Sequence, residues 1–305
     1  MSPALVLALK AVAYTVLVPL GAPFLEGVIR KVKAVVHSRK GPPLYQPYLD
    51  LAKLLAKEDL SSGGGAIARF APPATFAAVL AASYLVPFGI GAPAASAGDL
   101  FLFVYLMTFA SVCVIAAGLA HASPFAHLGS TREMMMLLTV EAVILISLLT
   151  AALGARTALL SAMVGGGFRP SLLVALVCFL VAFQAVLGKL PFDVAEAEQE
   201  IVEGPLIEYS GPSLALFKWA FMMKQFVYGS LFFNIFVGWP RLEGAGAYGA
   251  AVNFGVNALA VLVLCVLVAL VDATNPRLTV AQSMRLFGGL IAVAVFGAGL
   301  AAAGL

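Results

Sequence analysis

Residues 100–120 read Leu-Phe-Leu-Phe-Val-Tyr-Leu-Met-Thr-Phe-Ala-Ser-Val-Cys-Val-Ile-Ala-Ala-Gly-Leu-Ala, twenty-one residues without a charge. A helix needs about 20 such residues to cross a roughly 30 Å hydrocarbon core. A membrane-spanning strand would alternate apolar and polar residues over about 10 positions, and this run does not. Lipid offers the backbone no hydrogen-bond partner, so the run reads as a helix that satisfies its own amides. Seven other apolar runs are long enough to cross, or nearly so: Ala4–Leu25, Phe70–Ile90, Met134–Leu153, Leu172–Gly188, Pro212–Val237, Val252–Val271 and Leu286–Ala303. Of the 305 residues 62% are hydrophobic and 11% charged, against about 25% charged in an ordinary soluble domain. The expectation is an all-α polytopic membrane protein: one integral membrane domain, residues 1–305, with eight transmembrane helices.

The charges that remain are unevenly placed. The connections after helices one, three, five and seven hold 12 of the 18 Lys and Arg residues. Those after helices two, four and six hold Arg156, Arg169 and Arg241, while Lys10, Lys218 and Lys224 fall within apolar runs. This bias assigns the odd connections to the cytoplasm and both termini to the outer side of a cell inner membrane. The first run has no basic leader and a basic cluster follows it, so it reads as a span and not as a cleaved signal peptide.

The acid is concentrated too. Six of the fifteen carboxylates (Asp193, Glu196, Glu198, Glu200, Glu203 and Glu208) lie within sixteen residues of the connection between the fifth and sixth runs. Pro191 suits the first turn of a helix, and Gly204-Pro205 suits its end. A helix over about 192–203 would place Asp193, Glu196, Glu200 and Glu203 in one stripe and Glu198 elsewhere. Like charges so spaced repel, and beside a membrane their pKa values should rise unless cations arrive from a partner. Within the spans, Glu141 in the fourth and Lys218 and Lys224 in the sixth are costly to insert and so mark function. Glu133 and Glu141 are eight residues apart, near one helix face, and with the acidic segment they suggest a proton-accessible chain. The two lysines are six apart and do not share a face. Lys10 reads as a snorkelling side chain.

The first odd connection, residues 30–69, is the longest and most basic. Within it Tyr48, Leu51, Ala52 and Leu55 fall at helical spacing after the break at Gly41-Pro42-Pro43, which suggests an amphipathic cytoplasmic helix along the membrane surface. Ser61–Gly65 and Gly165–Gly167 read as hinges. Cys113, Cys178 and Cys265 stand in different runs, and His121 and His127 are six apart, so neither set has metal-ligand spacing. Nothing resembles a nucleophile motif, a phosphate loop or a nucleic-acid signature.

Two motifs together carry a resemblance. Arg39-Lys40-Gly41-Pro42-Pro43 with Gln46-Pro47, Asp50 and Lys53-Leu54-Leu55 is similar to the first cytoplasmic loop of the quinone-channel subunit of respiratory complex I. Pro191-Phe192-Asp193, Glu196-Ala197-Glu198, Glu203 and Glu208-Tyr209-Ser210-Gly211 resemble that subunit's second signature. Two departures point to one branch: Gly41-Pro42-Pro43 leads almost directly to Gln46, and Glu203 continues into Gly204-Pro205-Leu206. With Gly188-Lys189-Leu190-Pro191, Lys218-Trp219, His121-Ala122-Ser123-Pro124-Phe125 and Thr131-Arg132-Glu133 they resemble the membrane subunit of energy-converting (group 4) nickel–iron hydrogenases, of the formate hydrogenlyase type. Phe221 stands where quinone-type proteins usually have a glutamate, which removes part of a complex I proton route.

The resemblance implies a non-catalytic core subunit of an oxidoreductase complex, with no cofactor of its own. The nickel–iron centre and iron–sulfur clusters would sit in partner subunits. Its partners would be the soluble hydrogenase large and small subunits on the cytoplasmic face, antiporter-like membrane subunits and the lipid bilayer. Arg39, Lys40, Gln46, Asp50, Lys53, Lys189 and Tyr209, within loops 30–69 and 189–211, become candidates for docking. Glu133, Glu141, Asp193, Glu196, Glu198, Glu200, Glu203 and Glu208 become candidates for proton coupling. The competing expectations are a quinone-binding subunit of complex I and, from another class, a stand-alone transporter. The latter should show internal repeats and a midplane site, and no repeat of fixed period stands out.

Overall fold

The computed structural model describes residues 3–60, 63–96, 98–163, 169–238, 242 and 246–304, with the side chains of 3, 4, 198, 199, 246 and 247 excepted. The hinge Gly165–Gly167, residues Ser61 and Ser62, and the Glu198 side chain therefore lie outside the described residues. Among the described residues ten α-helices follow in order: α1 Pro3–Val36, α2 Gln46–Leu55, α3 Gly65–Ser83, α4 Leu100–Leu119, α5 Pro124–Ala155, α6 Pro170–Val186, α7 Glu198–Ile201, α8 Gly211–Phe232, α9 Gly246–Thr274 and α10 Val280–Ala302. A 3-10 turn, Gly204–Leu206, precedes α8, and a π turn, Phe233–Val237, extends it.

Among the described residues seven helices are long and apolar enough to cross a membrane, and Pro170–Val186 is a shorter apolar one. These eight correspond one for one to the eight apolar runs. Four are longer than their runs, α1 and α5 most of all. The apolar run Ala4–Leu25 continues as helix to Val36, and Met134–Leu153 begins ten residues earlier at Pro124. At 1.5 Å per residue α1 is about 51 Å long and α5 about 48 Å, well beyond the hydrocarbon core. Hydropathy marks where lipid ends, and the backbone hydrogen-bond ladder does not stop there.

All four odd connections meet at one end of the bundle, where ion pairs join them: Lys189 to Glu26, Arg132 to Glu200, Arg277 to Asp193 and Lys33 to Asp272. The even connections meet at the other end. There the Leu160 N–H donates to Gly98 C=O, the Leu100 N–H to Ala158 C=O and the Asn234 amide to Pro87 C=O. Between the ends, a core of buried rings including Tyr14, Phe88, Phe103, Phe179 and Phe183 packs the spans together.

Prolines inside two spans free carbonyls, and in each span a side chain satisfies one of them. Pro23 lacks the N–H that would bond Pro19 C=O, and the Trp219 indole N–H donates to that oxygen at 2.8 Å. Pro72 likewise frees Ala68 C=O, which accepts the Tyr209 hydroxyl at 3.2 Å.

The acidic segment is not the helix expected over 192–203. Only Glu198–Ile201 is helical, and residues 188–197 form an irregular stretch containing a cis Leu190–Pro191 bond. The expected carboxylate stripe does not form. Phe192, Val194, Ala195, Ala197 and Ile201 are all buried, and one helix could not turn that set inward while keeping its acids out. Repulsion between Glu196 and Glu200 at i, i+4 works against the helix as well. The short helix α2 is present, but Pro47 and Leu51 are its buried residues, with Tyr48 and Leu54 half-buried and Ala52 and Leu55 exposed. The inward face is thus rotated from the Tyr48, Leu51, Ala52, Leu55 set.

Candidate functional site

Below the acidic segment lies a cavity of about 80 Å³. That is several times the roughly 10–15 Å³ one water requires. Its lining brings together Glu133 and Glu141 from α5, Ser111 from α4, Lys224 and Tyr228 from α8, and Asp193 and Glu196 from the segment above. Lys224 is 6% exposed and donates to the Ser111 hydroxyl at 2.7 Å. The charges of Glu133, Glu141 and Glu196 act on it from across the cavity. Glu141 accepts the Thr108 hydroxyl. A buried ammonium facing three carboxyl groups across a space large enough for water is an arrangement that can hold and relay protons.

A second cavity, about 280 Å³, lies beside the first toward the end where the odd connections meet. Glu26, Arg30, Lys189, Glu196, Glu203, Lys218 and Gln225 line it. Glu26 is its hub: it accepts from Lys189 at 3.1 Å and from Arg30 at 3.3 Å, and Arg30 reaches on to Asp50 at 2.8 Å. Lys218 pairs with Glu203 at 3.1 Å. Glu196 and Phe221 line both cavities. The six-residue spacing of the two lysines thus places Lys218 in one cavity and Lys224 in the other, with Phe221 between them.

Electrostatics separates these groups. Burial, then the charges of Glu133 and Asp193, push the Glu196 carboxyl up to about 7, against the opposing pull of Lys189 and Lys218. Burial alone would lower Lys189, but the Glu26 charge and hydrogen bond outweigh it and hold the ammonium above its ordinary value. The hydrogen bond and charge of Arg132, at 2.6 Å, keep Glu200 low. For Asp50, burial pushes upward, but the hydrogen bonds from Gln46 and Arg30 prevail and lower it.

The expected coupling residues divide accordingly. Glu133, Glu141, Asp193 and Glu196 share the first cavity, and Glu203 lines the second. Glu200 faces outward on Arg132, and Glu208 is half-buried and lines neither cavity. Of the docking candidates, Arg39, Lys40 and Lys53 are exposed. The Gln46 amide donates to Asp50 at 3.0 Å, and Asp50 also accepts from Arg30. Lys189 is turned inward onto Glu26, and Tyr209 is buried, its hydroxyl pushed to about 12 by burial and the Asp59 charge. Both are therefore withdrawn from the exposed surface. Sequence reasoning passed over Glu26, Asp272 and Arg277 because each stands at or just beyond the end of an apolar run, where a charge looks ordinary. Only the i, i+4 spacing of Glu26 and Arg30 was a readable signal. Among the described residues no group of three or more His, Cys, Asp or Glu is placed to hold a metal.

Residues 9–302 match the NADH dehydrogenase family. The chain belongs to this family. It is 34% identical over 278 residues to hydrogenase-4 component C of Escherichia coli K12, covering 89% of this chain and 88% of that one. It is 32% identical over 266 residues to formate hydrogenlyase subunit 4 of the same organism, covering 84% and 86%. A chain in the solved structure of the membrane-bound sulfane sulfur reductase, an archaeal respiratory membrane complex, superposes with a TM-score of 0.89 at 26% identity, covering 97% of this chain and 99% of that chain. The protein is thus a multi-pass membrane protein homologous to subunits of respiratory membrane complexes and, within its family, to hydrogenase and formate hydrogenlyase membrane components.

Proposed function

We propose that this chain is the membrane core subunit of a hydrogenase complex. It anchors a soluble nickel–iron arm and couples electron transfer and hydrogen evolution to ion translocation. The observation that carries the reading is the cavity that gathers Glu133, Glu141, Asp193, Glu196 and Lys224 beneath a surface segment, in a chain homologous to hydrogenase membrane components over most of its length. The exposed cations Arg39, Lys40 and Lys53 in loop 30–69 are on this reading the contact for the soluble large and small subunits, which carry the nickel–iron centre and iron–sulfur clusters. Antiporter-like subunits pack laterally in the same membrane. The complex sits in the cell inner membrane, with both termini of this chain on the outer side. Protons reach Glu133 and Glu141 through Glu196, while Glu203 and Lys218 mark the entry from the surface.

The test is purification of the intact complex, identification of its subunits and nickel content, and measurement of ions moved per hydrogen evolved in sealed vesicles. Glu203→Gln and Asp193→Asn are expected to lower that ratio severalfold with assembly intact. A complex without nickel, or one whose variants keep the full ratio, would sink the reading. The second cavity gives a quinone-binding alternative some room. Its lining holds six ionisable groups, however, which suit water and ions better than an apolar ring and tail. Strong inhibition of the native complex by quinone analogues would reverse that preference.

A further inference from the structure

The start of the acidic segment is tied at every residue. The Leu190 N–H donates to Asp272 at 3.0 Å, and its C=O accepts the Gln184 amide at 2.7 Å. Pro191 C=O accepts from the Leu278 N–H at 2.9 Å. The Phe192 ring packs on Phe287 with centroids 5.0 Å apart, and Asp193 accepts from Arg277 at 2.7 Å. Apart from Gln184 of α6, all these partners come from the end of α9, the five-residue connection after it, or α10. Asp272 is only 4% exposed, and its second oxygen takes Lys33 of α1 at 2.9 Å.

Upstream, Lys189 also pairs with Glu26 of α1, at 24% and 10% exposure, while the ion pairs downstream of Asp193 are of a weaker kind. Glu200 is 54% exposed in its pair with Arg132, and Glu203 43% in its pair with Lys218. Pairs this open contribute little. Arg277 and Asp193 are 24% and 21% exposed, and the Leu190 amide bonds a nearly buried carboxylate. Charge-assisted hydrogen bonds in such surroundings are the stronger ones.

We propose that the α9–α10 connection is the holder of the acidic segment, and that Asp272 and Arg277 are positioning residues that set Asp193 and Glu196 in the wall of the buried cavity. Neither residue lines that cavity; each acts through a residue that does or through its backbone neighbour. A shift of α10 relative to α9 would move the cavity wall, since residues 193–196 follow directly from the tied stretch. The consequence for ion coupling rests on the function proposed above.

Amide hydrogen exchange on the intact complex tests the holder without reference to coupling. In Arg277→Ala the amides of Leu190 and of residues 192–197 are expected to exchange about tenfold faster, with the spans unchanged. Asp272→Asn, nearly isosteric, should loosen the same amides, and Arg277→Lys should recover most of the protection. These two carry the test if Arg277→Ala does not assemble. In vesicles, ions moved per hydrogen should fall in step with exchange, and Arg277→Lys should restore them. Unchanged exchange at Leu190 and residues 192–197, or loosening spread evenly over all helices, would overturn the holder. Wild-type vesicles that evolve hydrogen without ion uptake would instead overturn the coupling reading and leave the exchange result to decide the holder.

Discussion

The carbonyls freed by Pro23 and Pro72 show how single side chains keep proline-broken spans intact. Inside a bundle no water replaces the missing N–H, so the Trp219 indole and the Tyr209 hydroxyl take its place. Trp219→Phe and Tyr209→Phe should each destabilise the protein by about 1–2 kcal/mol, the cost of an orphaned buried acceptor. Thermal unfolding of the purified complex measures this, and an unchanged midpoint would show that the rings act by packing alone. Glu196 gives a second residue-level expectation. Its carboxyl is raised from an ordinary value near 4.5 to about 7, so the folded state binds the proton more tightly than the unfolded. Its contribution is full below about 4.5 and is lost as pH rises toward about 7. Glu196→Gln should flatten that part of the stability-versus-pH curve and raise stability above it, as melting across pH would record. The sequence marked Glu196 as one of several crowded acids. It did not distinguish Glu196 from Glu200, because a cavity and an arginine from α5 make the difference, and neither is local.

At the scale of elements, the eight spans were legible because lipid imposes a length and an unbroken apolar composition on each. The acidic segment was not legible as structure. Its proline, acids and Gly-Pro end match helix punctuation, yet its buried Phe192 packs on Phe287 of α10 and its Val194 carbonyl accepts from Arg132 of α5, partners that lie far away in sequence. Close backbone approach also shapes it. Gly204 has φ +52°, and a Cβ on Gly129 would stand 2.6 Å from Gly204 Cα. The 3-10 turn therefore sits directly on α5. Gly129→Ala should cost about 1–3 kcal/mol through overpacking against backbone that cannot rotate away. It should also loosen residues 203–206 in hydrogen exchange. A neutral Gly129→Ala would mean that α5 and the turn separate freely.

For the whole molecule, the cation count assigns sides and the structure supplies two ends that can be compared with it. The odd connections, rich in Lys and Arg, meet around the acidic segment, and the even ones meet around Gly98 and Leu160. Eight spans return both termini to one side, so a single orientation experiment tests spans and charge bias together. Cys178 and Cys265 are buried, and Cys113 is half-buried and can be replaced by alanine. In that background Lys40→Cys and Leu159→Cys put one exposed thiol at each end. In membranes stripped of peripheral subunits, an impermeant maleimide should label Lys40→Cys only from the cytoplasmic side and Leu159→Cys only from the other. Reversed labelling would overturn the positive-inside assignment and, with it, the proposed docking of a cytoplasmic arm on loops 30–69 and 189–211. Labelling of both thiols from one side would break the eight-span count. The expected pattern would leave the buried carboxylates facing the compartment from which the proposed hydrogenase arm would draw its protons.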